Sequence, residues 1–549
     1  MTDDISPAFA ISVQSDAYGG SKVIMGRSVA GETLLRGIAR TWPNATLQCV
    51  ATGPYNRERL IETLADGGFA GELRFCNAPA FSGAPGPDAL YYPTIVSPSL
   101  ARLRNRVAPT AYSLFGVTHT ISTDRAFDGI SAMAAAPFMP WDALICTSSA
   151  ALRVVTDIFD ESHEDLRRDL GATRLERPLT PVIPLGVNVD RWASSPDARS
   201  RARANLGIAA DEVAFLFAGR LSFHSKANSA PLYQALQAIA GSARIVCVEA
   251  GQFPTETVRD AYQAAQTALA PDVRFIHAAG DDDAVYADAW RAADVFTSLS
   301  DNVQETFGLT PVEAMAAGLP VVVSDWSGYR SNIRHGVDGF LIPTTAAPPG
   351  AGEDLGAALE ASGMTYDAQI GLVSLGVAVD QRALEAALLS LATDPSLRGR
   401  MGGEGRRRAR TVFDWPVVLR AYDGLARELS AIRARAAPRP PEPWRQRSDP
   451  FRRFEAFASR TMDDSDIVLL QPGAAALLQR VSGLKMTNYL FGDLLPREAL
   501  GRLVRTLDQA GGPMNVGALL GRCGGATPPL RRALAWLLKF GAVSIGPAG

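Results

Sequence analysis

The stretch Asp301 to Pro343, DNVQETFGLTPVEAMAAGLPVVVSDWSGYRSNIRHGVDGFLIP, restricts this chain more than any other. VFTSL just before it (Val295 to Leu299) and VVVS inside it (Val321 to Ser324) are short apolar runs bounded by turn residues, so both read as buried strands. Between them Thr310 suits an N-cap, Pro311 the first helical position, Gly318 a C-cap and Pro320 a stop. The unit is strand, helix, strand, the building block of a parallel α/β sheet.

The helix start aims its free N–H groups at Glu305-Thr306-Phe307-Gly308-Leu309, which makes a seat for a phosphate or another anion. Glu305 and Glu313 would repel that anion unless they faced uncharged hydroxyls beside it, as the hydroxyls of a sugar and a ribose are. Glu313 also completes a capping box with Thr310, and at this point that alternative stays open. Upstream, the apolar run VAFLFAG is followed by Arg220 and Lys226. Two cations beyond a strand end can stabilise charge on a departing diphosphate without a metal. His119, in GVTHT, also sits where a strand ends and ligands gather, with a hydrogen-bonded structural histidine as the alternative.

Glu305, the seven residues after it and Glu313, followed by EAMAAGLPVVVSD and HGVDGFLIP, resemble the nucleotide-binding half of retaining GT-B glycosyltransferases of the GT4 family. The resemblance covers residues 1–435 and implies two Rossmann-like doubly wound α/β domains facing a cleft. It implies that Glu305 contacts donor-sugar hydroxyls, that Glu313 binds the ribose, and that the backbone of Phe307, Gly308 and Leu309 holds the diphosphate. Arg220 and Lys226 would act on the leaving group, and His119 would approach the donor sugar or acceptor. Gly31, after a Gly-rich first loop, would lie near the donor, and His277, beside Ile276, would meet the base. No cofactor or metal is implied, since the nucleoside-diphosphate sugar is the co-substrate. Asp281, Asp282 and Asp283 read as a helix-capping cluster rather than a metal site. Asn188 stands in PVIPLGVNVDRW where the family commonly has Asp, and carries no catalytic role.

At 549 residues, with 47% apolar, the chain is long enough for two or three cores. Residues 1–185 read as the first, acceptor-side domain, built on AFAISV, TLQCVAT, ALYYP, TAYSLFGVTHT, ALICTS and PVIPLGV as strands. GETLLRGIAR, from Gly31, is its first helix. Residues 186–436 read as the nucleotide-sugar domain, with an insertion at about 346–378 and a return helix at about 412–435. The insertion is either an acceptor-shaping lid or a surface excursion, and its apolar, tyrosine-containing second half favours ordering against the cleft. A Pro-rich linker, 437–447, leads to a winged-helix-like, mainly α module at 448–549. It has apolar helix faces around Leu500, Leu503, Val504 and Leu507, around Val516, Leu519 and Leu520, and around Leu530, Leu534, Trp536 and Leu537, before FGAVSI as a strand.

A formal charge of −3 gives no general drive toward nucleic acid. Five scattered cysteines without CxxC spacing point to a reducing compartment. The start lacks a signal-peptide pattern and no apolar run is long enough to span a bilayer, so the expectation is a cytoplasmic protein with at most peripheral membrane contact. The expected partners are a nucleotide-sugar donor, an acceptor that is a glycan, lipid or protein, and a second subunit or protein partner at the module. From Pro440 onward 14 Lys plus Arg face 9 Asp plus Glu, but PPLRRALAWLLKFGAV is too apolar for a base-reading helix, and Tyr489-Leu490-Phe491 extends an apolar surface. The function read here is a retaining, metal-independent glycosyltransferase. A phosphorylase or sucrose-synthase-like enzyme of the same fold, and a nucleotide-sugar-sensing nucleic-acid-binding regulator, are the competing readings.

Overall fold

The computed structural model describes residues 6–546 except 15–17, 19–25, 82–86, 136, 362, 448, 490–491 and 493–494. It divides into two units, Met1–Trp444 and Arg445–Gly549.

The first unit holds two six-stranded parallel sheets. In the first, β1 (Phe9–Val13), β2 (Thr46–Ala51), β3 (Glu72–Asn77), β4 (Ala89–Tyr91), β5 (Ser113–Val117) and β6 (Ala143–Ile145) lie in the order β3-β2-β1-β4-β5-β6. In the second, β7 (Val213–Ala218), β8 (Ile245–Gly251), β9 (Arg274–Ala279), β10 (Val295–Ser298), β11 (Val321–Ser324) and β12 (Gly339–Ile342) repeat that order, β9-β8-β7-β10-β11-β12. Each is a doubly wound sheet, as expected, whose strand order reverses between its first and fourth strands. A ligand crevice opens at such a reversal, outside the carboxyl ends of the strands. In the second sheet that point lies between β7 and β10, so the chain leaving β7 at Gly219 and the chain leaving β10 at Leu299 meet there.

The strands are apolar throughout because both sheet faces are covered: every residue of β1, β5, β7, β8, β10 and β11 is buried. PVIPLGV departs from expectation. It forms only isolated bridges, Cys146 to Val182 and Val187 to Asp414, because Pro181 and Pro184 lack the N–H that a ladder needs. β3, ELRFCN, is the sixth strand instead, at the opposite edge of the sheet from β6.

The return helix, Trp415–Ala434, packs against β4, β5 and the helix Gly26–Thr41, so the end of this unit completes its beginning. Asp423 accepts the Ala8 N–H at 2.7 Å, and Arg433 Nη2 meets Asp88 Oδ1 at 2.7 Å. At the helix start Trp415 is fully buried, and Arg40 binds Asn188, Asp190 and Asp414 together at 2.8 to 3.1 Å. Asn188 is thereby a structural tie. A Cβ on Gly186 would stand 2.2 Å from the Trp415 ring, and one on Gly37 2.5 Å from Trp415 Cβ. Gly186→Ala is therefore expected to destabilise by about 1–3 kcal/mol through overpacking, read from a urea transition. A loss below about 0.5 kcal/mol would show that the indole has room to move.

After β12, β13 (Thr344–Ala346) and β14 (Val377–Val379) pair antiparallel and enclose two helices, Glu353–Glu360 and Tyr366–Leu375. In the second unit β15 (Ile467–Leu470) is the centre of a three-stranded antiparallel sheet between β16 (Met514–Asn515) and β17 (Val543–Gly546). Leu500, Leu503, Leu507, Leu519, Leu520, Leu534 and Leu537, on the three expected helices, form its core. Leu490 and Phe491 lie outside the described residues, and Tyr489 is exposed. Among the described residues no helix is long and apolar enough to cross a membrane.

Candidate functional site

Two loops and a helix start converge at the β7/β10 reversal. Gly219, at φ 146°, turns the chain out of β7. The Lys226 N–H bonds Ser222 O at 2.9 Å, which folds Arg220 to Lys226 into a tight loop, and Arg220 Nη2 reaches Ser225 O at 3.5 Å. From the other side, Asn302 fixes the loop after β10. Its side chain donates to His224 O at 2.9 Å, and its carbonyl accepts from the Trp326 indole at 3.0 Å. The outcome is an ion pair across the crevice: Lys226 Nζ lies 2.6 Å from Glu305 Oε2, with Glu305 only 11% exposed. Sequence reasoning selected both residues but gave them separate ligand roles. Here each is the other's partner.

The Glu305 loop is held by residues that the sequence did not single out. Ser327, at φ 44°, donates its hydroxyl to Glu305 O at 2.5 Å, and Asn332 donates to Phe307 O at 2.7 Å. Thr306 Oγ1 donates to His119 O at 2.6 Å, which ties the loop to the one leaving β5. SDWSGYR follows β11, so a loop at a strand's carboxyl end was the available signal. Asp301 is buried with Oδ1 unpaired, and burial pushes its carboxyl up to about 7.

The helix that follows is Leu309–Ala317, two residues earlier than the sequence suggests. Its N-cap is Gly308, at φ 92°, so Thr310 lies inside the first turn rather than capping it. A Cβ on Gly308 would come 2.2 Å from the Tyr329 ring, and only glycine meets both demands. With no side chain at the cap, the first N–H groups stay available to an anion. Gly318 caps the other end at φ 81°, as expected.

Glu313 makes no capping bond among the described residues. It faces a small crevice shared with Thr33, Asn188, Arg191, Trp192 and Leu309. Burial raises its carboxyl to about 7, against the opposing pull of Arg191 and Lys226. The sign for stability is fixed. Between the ordinary carboxylate range and about 7 the folded chain holds a proton that the unfolded chain releases, so this contribution is present at acid pH and lost as pH rises through 7.

The remaining candidates are less close. His119 is half-buried, and its Nε2 stands 3.1 Å from Pro93 O. Gly31 is buried within the helix Gly26–Thr41, whose start precedes the expected Gly31; it lies two residues from Thr33 of the Glu313 crevice. His277 sits on the edge strand β9, with Nε2 3.1 Å from Gly251 O and its ring 4.8 Å from Phe253. At three strand spacings from β10, about 14 Å, it is a group for the far end of an extended ligand. Asp282 caps the helix Asp283–Ala292 through the N–H groups of Ala284 and Val285. Among the described residues no group of three His, Cys, Asp or Glu is placed to hold a metal.

Residues 212–359 match the family model described as "Glycosyl transferases group 1". Two relatives are the D-inositol 3-phosphate glycosyltransferase of Geodermatophilus obscurus and the phosphatidyl-myo-inositol mannosyltransferase of Mycobacterium leprae. The first is 35% identical over 30% of this chain and 36% of that protein. The second is 30% identical over 46% of this chain and 55% of that protein. The chain thus covers about half or less of the length of these relatives. Among solved structures, Anabaena HepE in complex with UDP aligns over 77% of this chain and 99% of its own, at 18% identity and TM-score 0.48. Sucrose-phosphate synthase of Thermosynechococcus elongatus aligns over the same shares, at 20% identity and TM-score 0.48.

Proposed function

Because residues 212–359 form a glycosyl transferases group 1 segment, we propose that the chain transfers a sugar from a nucleoside-diphosphate sugar to an acceptor hydroxyl, with retained configuration and without a metal. The Lys226–Glu305 pair beside an uncapped helix start carries this reading, because it sets a cation, a carboxylate and a row of N–H donors around one crevice. The diphosphate seats on the N–H groups of Phe307, Gly308 and Leu309. Arg220 and Lys226 stabilise the charge that grows on it as its bond to the anomeric carbon breaks. Glu305 accepts from sugar hydroxyls and Glu313 from the ribose. The acceptor oxygen bonds to the anomeric carbon on the same face, and its proton passes to a phosphate oxygen of the leaving diphosphate, so no protein base is needed. His119 borders the acceptor side, and His277 the base. The two relatives are named for inositol 3-phosphate and phosphatidyl-myo-inositol, so those polyols are the first acceptor probes.

A thermal-shift screen of nucleoside-diphosphate sugars tests the reading, since a donor at 100 times its Kd adds about 2.7 kcal/mol to native stability. No shift with any such donor would reject it. Calorimetry then separates the carboxylates. Glu305→Gln should weaken the sugar-bearing donor and spare the bare diphosphate, whereas Glu313→Gln should weaken both. At pH 6.5 wild-type binding should release a proton from Glu313, seen as a buffer-dependent enthalpy that Glu313→Gln lacks. Equal proton release in both proteins would remove Glu313 from the ligand.

A further inference from the structure

The segment between β12 and the helix Gln381–Thr393 adds little to any core. Its two strands close on themselves, Thr344 opposite Val379 and Ala346 opposite Val377, with Ala347 N–H on Gly376 O at 2.9 Å. The first helix on this stem, Glu353–Glu360, buries nothing, and Ile370 of the second joins none of the hydrophobic clusters among the described residues. What the second helix does reach is the crevice. A Cβ on Gly371 would stand 3.2 Å from that of His224, so the helix lies on the loop that carries Arg220 and Lys226.

Thr365 caps this helix, and the next residue, Tyr366, crosses to the first half of the unit. Its hydroxyl meets Ser122 Oγ at 2.7 Å. Ser122 lies three residues beyond His119, on the loop that Thr306 also grips. Gln304, next to Glu305, and the charge of Arg220 both act on the same hydroxyl. Tyr366 therefore touches the surroundings of the leaving-group cation, the sugar carboxylate and the acceptor-side loop together. A residue so placed borders the end of the crevice where the transferase reading puts the sugar.

We propose that the helix Tyr366–Leu375 is a wall over the sugar end of the crevice and that Tyr366, latched to Ser122, is the residue that discriminates against water as acceptor. The inference rests on the transferase reading above. Without the wall, water attacks the anomeric carbon: its oxygen forms the new bond, the bond to the diphosphate breaks, and a water proton passes to the leaving diphosphate. The donor is then hydrolysed to free sugar. The diphosphate and ribose contacts lie on other elements and are retained.

The antiparallel stem allows a clean test. Residues 348–375 can be replaced by Asn-Gly, a two-residue turn suited to joining Ala347 to Gly376. That chain, Tyr366→Ala and Tyr366→Phe are compared with wild type, using the nucleoside-diphosphate sugar that stabilises wild type and no acceptor. Donor Kd should change by less than about threefold, while free-sugar release rises by about tenfold or more in the Asn-Gly chain and Tyr366→Ala, and less in Tyr366→Phe. Should the Asn-Gly chain fail to fold, Tyr366→Ala decides. Intact donor binding with wild-type hydrolysis in the folded variants overturns the wall alone. A wild-type chain that binds no such donor overturns the wall and the transferase reading together.

Discussion

Lys226→Ala is expected to lower turnover by about 10²–10³, the loss of roughly 3–4 kcal/mol that follows removal of one preorganised charge stabiliser. The ion pair complicates the outcome in a way that can be measured. Lys226 and Glu305 are 2.6 Å apart and only 27% and 11% exposed, so truncating the lysine leaves a largely buried carboxylate without its cation. Breaking such a pair destabilises, with about 3–5 kcal/mol as the limit for full burial. The double variant Lys226→Ala with Glu305→Ala should recover much of that stability and none of the turnover. Arg220 offers the cleaner control, because its hydrogen bond is a long one, to Ser225 O at 3.5 Å. Arg220→Ala should lose turnover with a urea midpoint close to wild type. Wild-type turnover in both single variants, assayed with a donor found by thermal shift, would discard the leaving-group role.

The unit from β10 to β11 was legible because its signals are local. Valine and phenylalanine runs mark the strands, Gly318 and Pro320 end the helix, and two glutamates stand out in an otherwise apolar stretch. Its start was misjudged by two residues because the deciding partner is remote. Tyr329, beyond β11, takes the space that any Cβ at 308 would need, and that moves the cap from Thr310 to Gly308. The Lys226–Glu305 pair joins positions 79 apart, and Tyr366–Ser122 joins positions 244 apart, so neither bond can be read from spacing. Composition also misled at PVIPLGV, whose apolar residues suggest a strand that its prolines forbid. In the second unit the three helices were visible from their leucines. The central strand β15 was not, since it precedes them and pairs with strands that follow.

Arg104→Met should cost about 3–5 kcal/mol of stability, the penalty for leaving one member of a buried ion pair without the other. No motif marks Arg104 or Asp142, yet neither has any exposed side-chain surface, and Arg104 Nη1 lies 2.5 Å from Asp142 Oδ1. Every direction around them is engaged. The guanidinium also donates to Tyr112 O at 3.3 Å and Pro137 O at 3.1 Å, while the carboxylate accepts from Leu114 N at 2.8 Å and Met139 N at 2.9 Å. Methionine fills most of the space but returns none of these bonds, so a carboxylate and two carbonyls lose partners at once. The position of the pair makes the prediction specific. Asp142 grips Leu114 near the amino end of β5, whereas His119 leaves its carboxyl end five residues on, about 16 Å away along the strand. Stability and ligand binding should therefore separate: the urea midpoint falls sharply, while folded protein in the cold keeps its donor Kd. Adding Asp142→Leu to Arg104→Met removes the stranded charge and should restore part of the loss, although the N–H groups of Leu114 and Met139 then lack an acceptor. A single-variant cost below about 1 kcal/mol would mean that the carboxyl protonates or finds water when its cation is gone, and that the pair is not what anchors β5 to β6.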